Sequence, residues 1–348
     1  MAAATESIGF GCTISTSYEQ PYHLARRLST VDHLTGGRVG WNVVTGYLDS
    51  AARNLTNGQN QPEHDERYAI CEEYMSVVYK LWNSSWRSDA VQLNRETGIY
   101  TDPALVREIN HKGKYFTVPG PHICQPSPQR TPVIMQAGTS AAGRAFAAKH
   151  AEAIFVSTHS PAGVKGSIAD VRAQMAAQGR DPTSLKVLAK FCPILGRTQE
   201  EADAKYRDLA QYGDYEGALA LFGGWTGVDM APYGEDDELK YVKSNAIQGY
   251  IRNLIKSAPD LNGGKWTKKT LAQHIMGMVA RKELSFLESF ANQNCLLAVG
   301  GLGATCVGTA EKVADEMERW VNEGDVDGFN IVSRINLLHS INQKTTTH

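Results

Sequence analysis

The chain has 348 residues, 42% of them hydrophobic and 21% charged, with 35 basic against 37 acidic side chains. A net charge of -2 exerts no pull toward nucleic acid or an anionic membrane, and the composition excludes wholesale disorder. The smoothest apolar stretch, Cys295 to Ala310, holds four glycines and is too short to span a bilayer. The opening MAAATESIGFG lacks the basic and apolar regions of a secretory signal. Six cysteines (Cys12, Cys71, Cys124, Cys192, Cys295, Cys306) are scattered without a C-x-x-C pair, which argues against zinc and against a disulfide scaffold. The expectation is a reduced, cytoplasmic protein without a metal, built as one large α/β domain or two smaller ones.

In chain order, Ile8–Ser17 reads as a β run closing in hydroxyls. Gln20–Leu34 reads as a helix entered through Pro21 and left through Gly36-Gly37, and Arg38–Thr45 as a second buried strand. Glu63–Trp82 is helical, with Tyr68, Cys71, Met75, Val78 and Leu81 on one face. A long polar stretch from Asn83 to Arg130 carries an expected hairpin at Tyr115–Val118. Strands at Pro132–Ala137, Ala153–Ser157 and Lys186–Ile194 then alternate with helices at Ala141–His150, Val164–Gln178 and Thr198–Tyr212. Gly213–Lys240 reads as a mobile segment, followed by helices at Asn245–Ser257 and Thr267–Met276. A last helix spans 307–324, with Val313, Ala314 and Met317 inward, before a strand at Gly328–Val332. Strict β/α alternation implies parallel pairing with right-handed crossovers. Because strands end in Thr16, Thr45, Thr139 and Thr158, a (β/α) barrel fits better than an open sheet.

The most informative local motif is PVIMQAGTSAAGRAFAAKHAEAIF, residues 132–155. A buried strand ends in Gly138-Thr139-Ser140 and a helix starts at once, so free backbone N–H groups and two hydroxyls could cradle a phosphate. The plainer reading is that Thr139 or Ser140 is an N-cap. His64 and Tyr68 in EHDERY share one helix face and could hold a phosphate or ribityl chain, or could form a capping turn with Tyr68 in the core. Thr13, Ser15, Thr16, Asn42 and Thr45 at strand ends carry the same ambiguity. His64, Asp65 and Glu66 are sequential and are expected to point apart. No zinc-protease, serine-nucleophile, Walker or Rossmann pattern appears, so the chemistry reads as cofactor-borne.

YEQPYHLARRLSTVDHLTGGRVGWNVVT (18–45), EHDERY (63–68), QAGTSAAGRAFAAKHAEAIF (136–155), GGWTGVDMAPY (223–233) and VGTAEKVADEMERWVNEGDVDGFN (307–330) together resemble the bacterial-luciferase-like flavin monooxygenases. The branch is that of the nitrilotriacetate, dibenzothiophene-sulfone and long-chain alkane monooxygenases. The resemblance implies a (β/α)8 TIM barrel that takes reduced FMN from a separate NAD(P)H-dependent flavin reductase. Such enzymes react it with O₂ to a flavin C4a-peroxide and oxygenate a small organic substrate. By position, Thr13 would face the flavin ring, Asn42 and Thr45 would line the pocket, and His64 and Tyr68 would reach the ribityl-phosphate. Thr139 and Ser140 would hold the phosphate. The resemblance assigns no catalytic acid or base: a polar side chain of the alkane-oxidising branch is here Gly46. The stretch around Trp225 resembles the family's mobile cover.

Departures from the pattern define the remaining expectations. The first two βα units and the last helices of the barrel have no counterpart, so residues 1–332 read as a partial barrel. Residues 277–298 read as a non-family insert that protrudes, and 333–348 as a non-family tail. A homo-oligomer is expected of the complete form. The alternative to the enzyme is an inactive truncated homologue that binds flavin weakly or not at all.

Overall fold

In the computed structural model, which describes residues 1–158, 160–212, 214–239, 267–276 and 303–332, the first β run, helix and β run are realised as β1 (Phe10–Ser15), α1 (Pro21–Thr35) and β2 (Val39–Val44). Pro21 sits in the first turn of α1, where its missing N–H leaves no bond unmade, and Gly36 ends the helix at φ 64°. A short helix α2 (Asp49–Leu55), not legible in the sequence pattern, precedes α3 (His64–Ser84). The polar stretch folds into two antiparallel hairpins, β3 (Val91–Asn94) with β4 (Ile99–Thr101) and β5 (His111–Lys112) with β6 (Thr117–Val118). The second is the expected hairpin; the first is an addition. Next come β7 (Val133–Gln136), α4 (Ala141–His150) and β8 (Ala153–Val156). The pairs β1–β2, β2–β7 and β7–β8 are all parallel, as the alternation requires.

Two compact units divide the chain, Met1–Ile154 and Phe155–His348. In the first, β2 decides what lies on each face of the sheet. Trp41 and Val43 point into the core while the alternate residues Asn42 and Val44 are only half-buried. Trp41 lies 6.0 Å from Tyr74 and 6.4 Å from Trp82, both on α3, and its indole N–H donates to the Ile14 carbonyl of β1 at 3.0 Å. Leu24 and Leu28 of α1 complete this core with Cys71, Met75, Val78 and Leu81 on the α3 face read from the sequence. Burial pushes the Cys71 thiol up to about 12, which makes it an inert packing group.

In the second unit α5 (Pro161–Ala177) begins one turn earlier than the sequence spacing suggests, because Pro161 takes the first helical position. The long strand β9 (Lys186–Leu195) follows, then α6 (Gln199–Ala210) with Thr198 as its N-cap. The stretch expected as a mobile segment contains a helix, α7 (Tyr215–Thr226). Asp214 caps it by accepting from Gly217 N at 2.6 Å, Ala218, Leu219 and Phe222 form its buried stripe, and Gly227 ends it at φ 69°. Trp225 therefore belongs to a helical last turn. The remaining elements are α8 (Lys268–Met276), β10 (Ala304–Gly308), α9 (Ala310–Gly324) and β11 (Gly328–Ile331). Both β10 and β11 pair with β9 in parallel. Val307 belongs to β10, so α9 starts three residues later than expected, capped by Thr309. Its inner face is Val313 and Trp320; Ala314, expected inward, is exposed and Met317 only half-buried. The expected helix at 245–257, the insert 277–298 and the tail 333–348 lie outside the described residues.

His122 gives the first unit an acid-sensitive point. Its Nε2 lies 3.0 Å from Ser29 Oγ, its backbone N–H donates to Ser85 Oγ, and its carbonyl accepts from Trp86 Nε1. Nδ1 is buried without a partner, and burial holds the imidazole down at about 4. The unfolded chain binds this proton near pH 6.5, so stability falls as pH drops from about 6.5 to about 4 and levels off below. The contribution at stake is about 3 kcal/mol at most. Chemical denaturation across that range should show the fall, and His122→Gln should flatten it; an unchanged pH slope in the variant would assign it elsewhere.

Candidate active-site rim

The loops after β1, β2 and β7 emerge from neighbouring parallel strands, so their residues meet at one edge of the sheet. Thr13 and Asn42 are register partners on β1 and β2, and Asn42 Nδ2 donates to Thr13 Oγ1 at 3.0 Å. Asn42 Oδ1 is buried and accepts nothing. On the same face the Met135 methyl lies where a Cβ on Gly11 or Gly40 would stand, 2.8 and 2.7 Å away. Those two glycines leave room for the Met135 side chain, whose residue is the register partner of Asn42.

A second group gathers at the starts of α3 and α4. His64 packs on Tyr68 with ring centroids 5.3 Å apart, and Tyr68 packs on Phe146 at 6.1 Å. Burial raises the Tyr68 phenol above its ordinary value, opposed by hydrogen bonding with Ser140 and Thr45. Ser140 is the N-cap of α4, accepting from Gly143 N at 3.1 Å, and the same hydroxyl hydrogen-bonds with Tyr68. The capping reading and the cradle reading thus describe one atom in two roles. A Cβ on Gly138 would lie 2.6 Å from the Tyr68 hydroxyl, and one on Gly143 would lie 2.8 Å from it. Thr139 has an exposed side chain, and its carbonyl accepts from the Arg144 guanidinium at 2.7 Å. Arg144 was not among the residues read as functional, although GTSAAGR places a cation four residues past the cap. Gln136, buried with Oε1 unpartnered, is the other addition.

His64 departs from expectation. Rather than pointing away from Asp65, its Nδ1 lies 2.7 Å from Asp65 Oδ1, a contact made across adjacent residues in the first helical turn. Among the described residues no three His, Cys, Asp or Glu gather to hold a metal. No helix among them is long and apolar enough to cross a membrane.

Thr45 joins the Tyr68 group to the mouth of the rim. Its carbonyl accepts from Ser17 Oγ at 2.6 Å and from Gln61 Nε2 at 3.4 Å. Gln61 in turn accepts from the Tyr18 hydroxyl at 3.0 Å. Of the seven residues expected here, Thr45, Tyr68, Ser140 and His64 cluster, Thr13 and Asn42 form a separate pair on the sheet face, and Thr139 stands beside Ser140 with its side chain exposed. Separately, in the second unit, α7, α8 and residues 227–231 enclose an open groove of about 440 Å³ floored by Leu219 and Met230.

Comparison with known proteins decides the family. Residues 1–327 match the luciferase-like monooxygenases. The chain belongs to that family. It is 46% identical over 331 residues to dimethyl-sulfide monooxygenase of Hyphomicrobium sulfonivorans, covering 95% of this chain and 64% of that protein. It is 43% identical over 335 residues to long-chain alkane monooxygenase of Geobacillus thermodenitrificans, covering 96% and 66%. The chain therefore spans just under two thirds of the length of these relatives. The solved structure of the Hyphomicrobium protein superimposes with a TM-score of 0.79 at 45% identity, over 98% of this chain and 67% of that one. Riboflavin lyase, solved with a modified FMN and riboflavin, matches at a TM-score of 0.79 and 31% identity, over 98% and 69%. The fold is accordingly α/β of the luciferase-like TIM-barrel type.

Within this luciferase-like rim, Gly143 is the most exposed to test. Alanine inside a helix ordinarily gains up to about 1 kcal/mol over glycine. Here the added methyl would meet the Gly138 backbone carbon at 2.9 Å as well as the Tyr68 hydroxyl. Gly143→Ala should therefore lower stability by about 1–3 kcal/mol, read as a lower denaturation midpoint. A raised midpoint would show that α4 does not press on the β7 loop.

Proposed function

We propose that the chain is the oxygenating component of a two-component, FMN-dependent monooxygenase. The observation that carries this reading is the start of α4. Free N–H groups, the Ser140 hydroxyl and the Arg144 guanidinium lie together beside a loop whose glycine leaves no room for a side chain. A terminal phosphate fits that donor set. A flavin ring edge, with both donors and acceptors, fits the unpartnered Asn42 Oδ1 beside the Met135 thioether. Thr139 and Ser140 would hold the phosphate, Tyr68 and His64 would flank it, and Asn42, Thr13 and Thr45 would lie toward the ring.

When bound, reduced FMN supplies the two electrons with which O₂ is activated, one oxygen atom going to substrate and the other to water. The residues of this chain bind and orient. Tyr68 is neutral at neutral pH, and burial raises its phenol further, so it would offer a hydrogen bond without carrying charge. The sequence holds no nicotinamide-binding fingerprint, so reducing equivalents come from a separate NAD(P)H-dependent flavin reductase. The substrate is a small organic molecule.

An anaerobic titration tests the cradle. Reduced FMN should bind more tightly than reduced riboflavin, and Ser140→Ala should weaken FMN binding by about 1–3 kcal/mol. The same variant loses an N-cap, so stability should drop by about 1 kcal/mol as well. Equal affinity for the two flavins would remove the phosphate assignment, and no affinity for either would leave the inactive-homologue reading standing. A second test concerns division of labour. The pure chain with FMN should not oxidise NADH at an appreciable rate until a flavin reductase is added; robust oxidation without one would refute the two-component reading.

A further inference from the structure

Tyr68 is the inner end of a row of rings that leads away from the rim between α3 and α4. Along α3, Tyr68, Glu72 and Tyr79 are spaced four and seven residues apart, so they share one side of the helix. Phe146 and His150, four apart on α4, meet that side. Ring centroids lie 6.1 Å apart from Tyr68 to Phe146, 4.7 Å from Phe146 to His150 and 5.7 Å from His150 to Tyr79. The phosphate cradle uses only the first of these rings.

At the outer end the polar atoms are paired in one direction. The Tyr79 hydroxyl lies 3.2 Å from His150 Nδ1, and His150 Nε2 lies 3.2 Å from both oxygens of Glu72. Lys149 Nζ donates to the same carboxylate. Burial raises the Glu72 carboxyl, but hydrogen bonds from His150 and Lys149 outweigh it and hold it below its ordinary value. Glu72 is therefore an ionised acceptor, which puts the proton of a neutral imidazole on Nε2 and leaves Nδ1 to accept from the Tyr79 hydroxyl. The imidazole is 7% exposed, Tyr79 is half-buried and Lys149 is exposed. Stapling the two helices needs only the contact between Glu72 and His150. The phenol adds a group that can give up an electron, with a base already in place for its proton.

We propose that Tyr79 is a redox-active phenol, with His150 as its proton acceptor, that drains oxidising equivalents from the rim along the row Tyr68, Phe146 and His150. The source of those equivalents rests on the oxygenase reading: an oxygen-centred radical formed when reduced flavin meets O₂ without substrate. The net step passes one electron from Tyr79 to that oxidant, which is reduced, and one proton from the Tyr79 hydroxyl to His150 Nδ1. Tyr79 becomes a neutral phenoxyl radical and His150 an imidazolium beside the Glu72 carboxylate. Tyr68 and Phe146 end unchanged. A thiolate in solvent returns the electron, becoming a thiyl radical, and the proton returns from His150.

Oxidation of the flavin-free chain with photogenerated tris(bipyridine)ruthenium(III), followed by freezing and high-field electron paramagnetic resonance, tests the radical site. The native chain should give a phenoxyl radical whose g-tensor carries the shift of a hydrogen-bonded oxygen. Tyr79→Phe, which keeps the ring, should abolish that component. His150→Leu should remove the shift and lower the yield by about tenfold or more, the worth of one charge-assisted hydrogen bond. If His150→Leu fails to fold by circular dichroism, the exchangeable-proton coupling of the native radical, lost in deuterium oxide, answers the same question. A hydrogen-bonded radical that persists in Tyr79→Phe, or none in the native chain, would overturn the proposal. Blue light on the FMN-loaded chain puts the oxidant at the rim instead. The Tyr79 radical should form there too, and Phe146→Leu should cut it severalfold while the ruthenium-driven signal stays unchanged. A light-driven signal indifferent to Phe146→Leu would overturn the row. A chain that never binds FMN would remove the oxygenase reading alone, because the ruthenium experiment decides the radical site without flavin.

Discussion

The organisation of the first unit depends on where Trp41 goes. A tryptophan buries roughly 150–250 Å² on entering a core, more than any other residue on β2 can contribute. Its burial against Tyr74 and Trp82, with its N–H satisfied by Ile14, sets which face of β2 meets α3. A strand slipped by one residue would place Asn42 in that core and Trp41 on the opposite face. With Trp41 in place, Asn42 is held beside Thr13 and Met135, and the strand ends that carry Thr45 and Ser17 come level.

Packing at the rim has the same logic at shorter range. Tyr68 stands at the meeting point of α3, the β2 loop and the β7 loop, touching Ser140 and Thr45 and pressing on Gly138 and Gly143. The phenol is large and its position follows from α3, so the loop around it must be small. Glycines at 138 and 143 are the sequence's answer to that volume. The same reciprocity recurs between Gly46 and Tyr18 at the mouth. In both places a tyrosine hydroxyl takes the room that a neighbouring side chain gives up.

Buried polar groups without a partner fall in the core, as with His122 Nδ1 and the Tyr74 hydroxyl, and also beside the rim. Asp32 is buried yet fully engaged, accepting from Gln129 N at 2.9 Å and Gln129 Nε2 at 2.6 Å, and Trp82 donates to Ala25 O. Asn42 Oδ1 and Gln136 Oε1 are buried and accept nothing, and both lie on strands that end at the rim. Native cores seldom leave such atoms without a partner, and the exceptions concentrate at sites of function.

Local pattern in the sequence determined most of the helices and parallel strands, because capping residues, Pro21, Gly36 and the spacing of apolar residues act over a few positions. It also determined the start of α4, where GTSAAG spells out a cap and a close turn. It did not show the helix at Tyr215–Thr226, where two adjacent glycines obscure the pattern behind the Asp214 cap, nor α2. What only the tertiary structure decided is which distant residues meet. Tyr18 against Gly46, Gln61 against Thr45 and Arg144 over Thr139 follow from strand register and side-chain volume, which no local spacing encodes. Membership of the family was thus written in short motifs, while the division of Thr13 and Asn42 from Tyr68 and Ser140 arose because β2 must turn Trp41 inward.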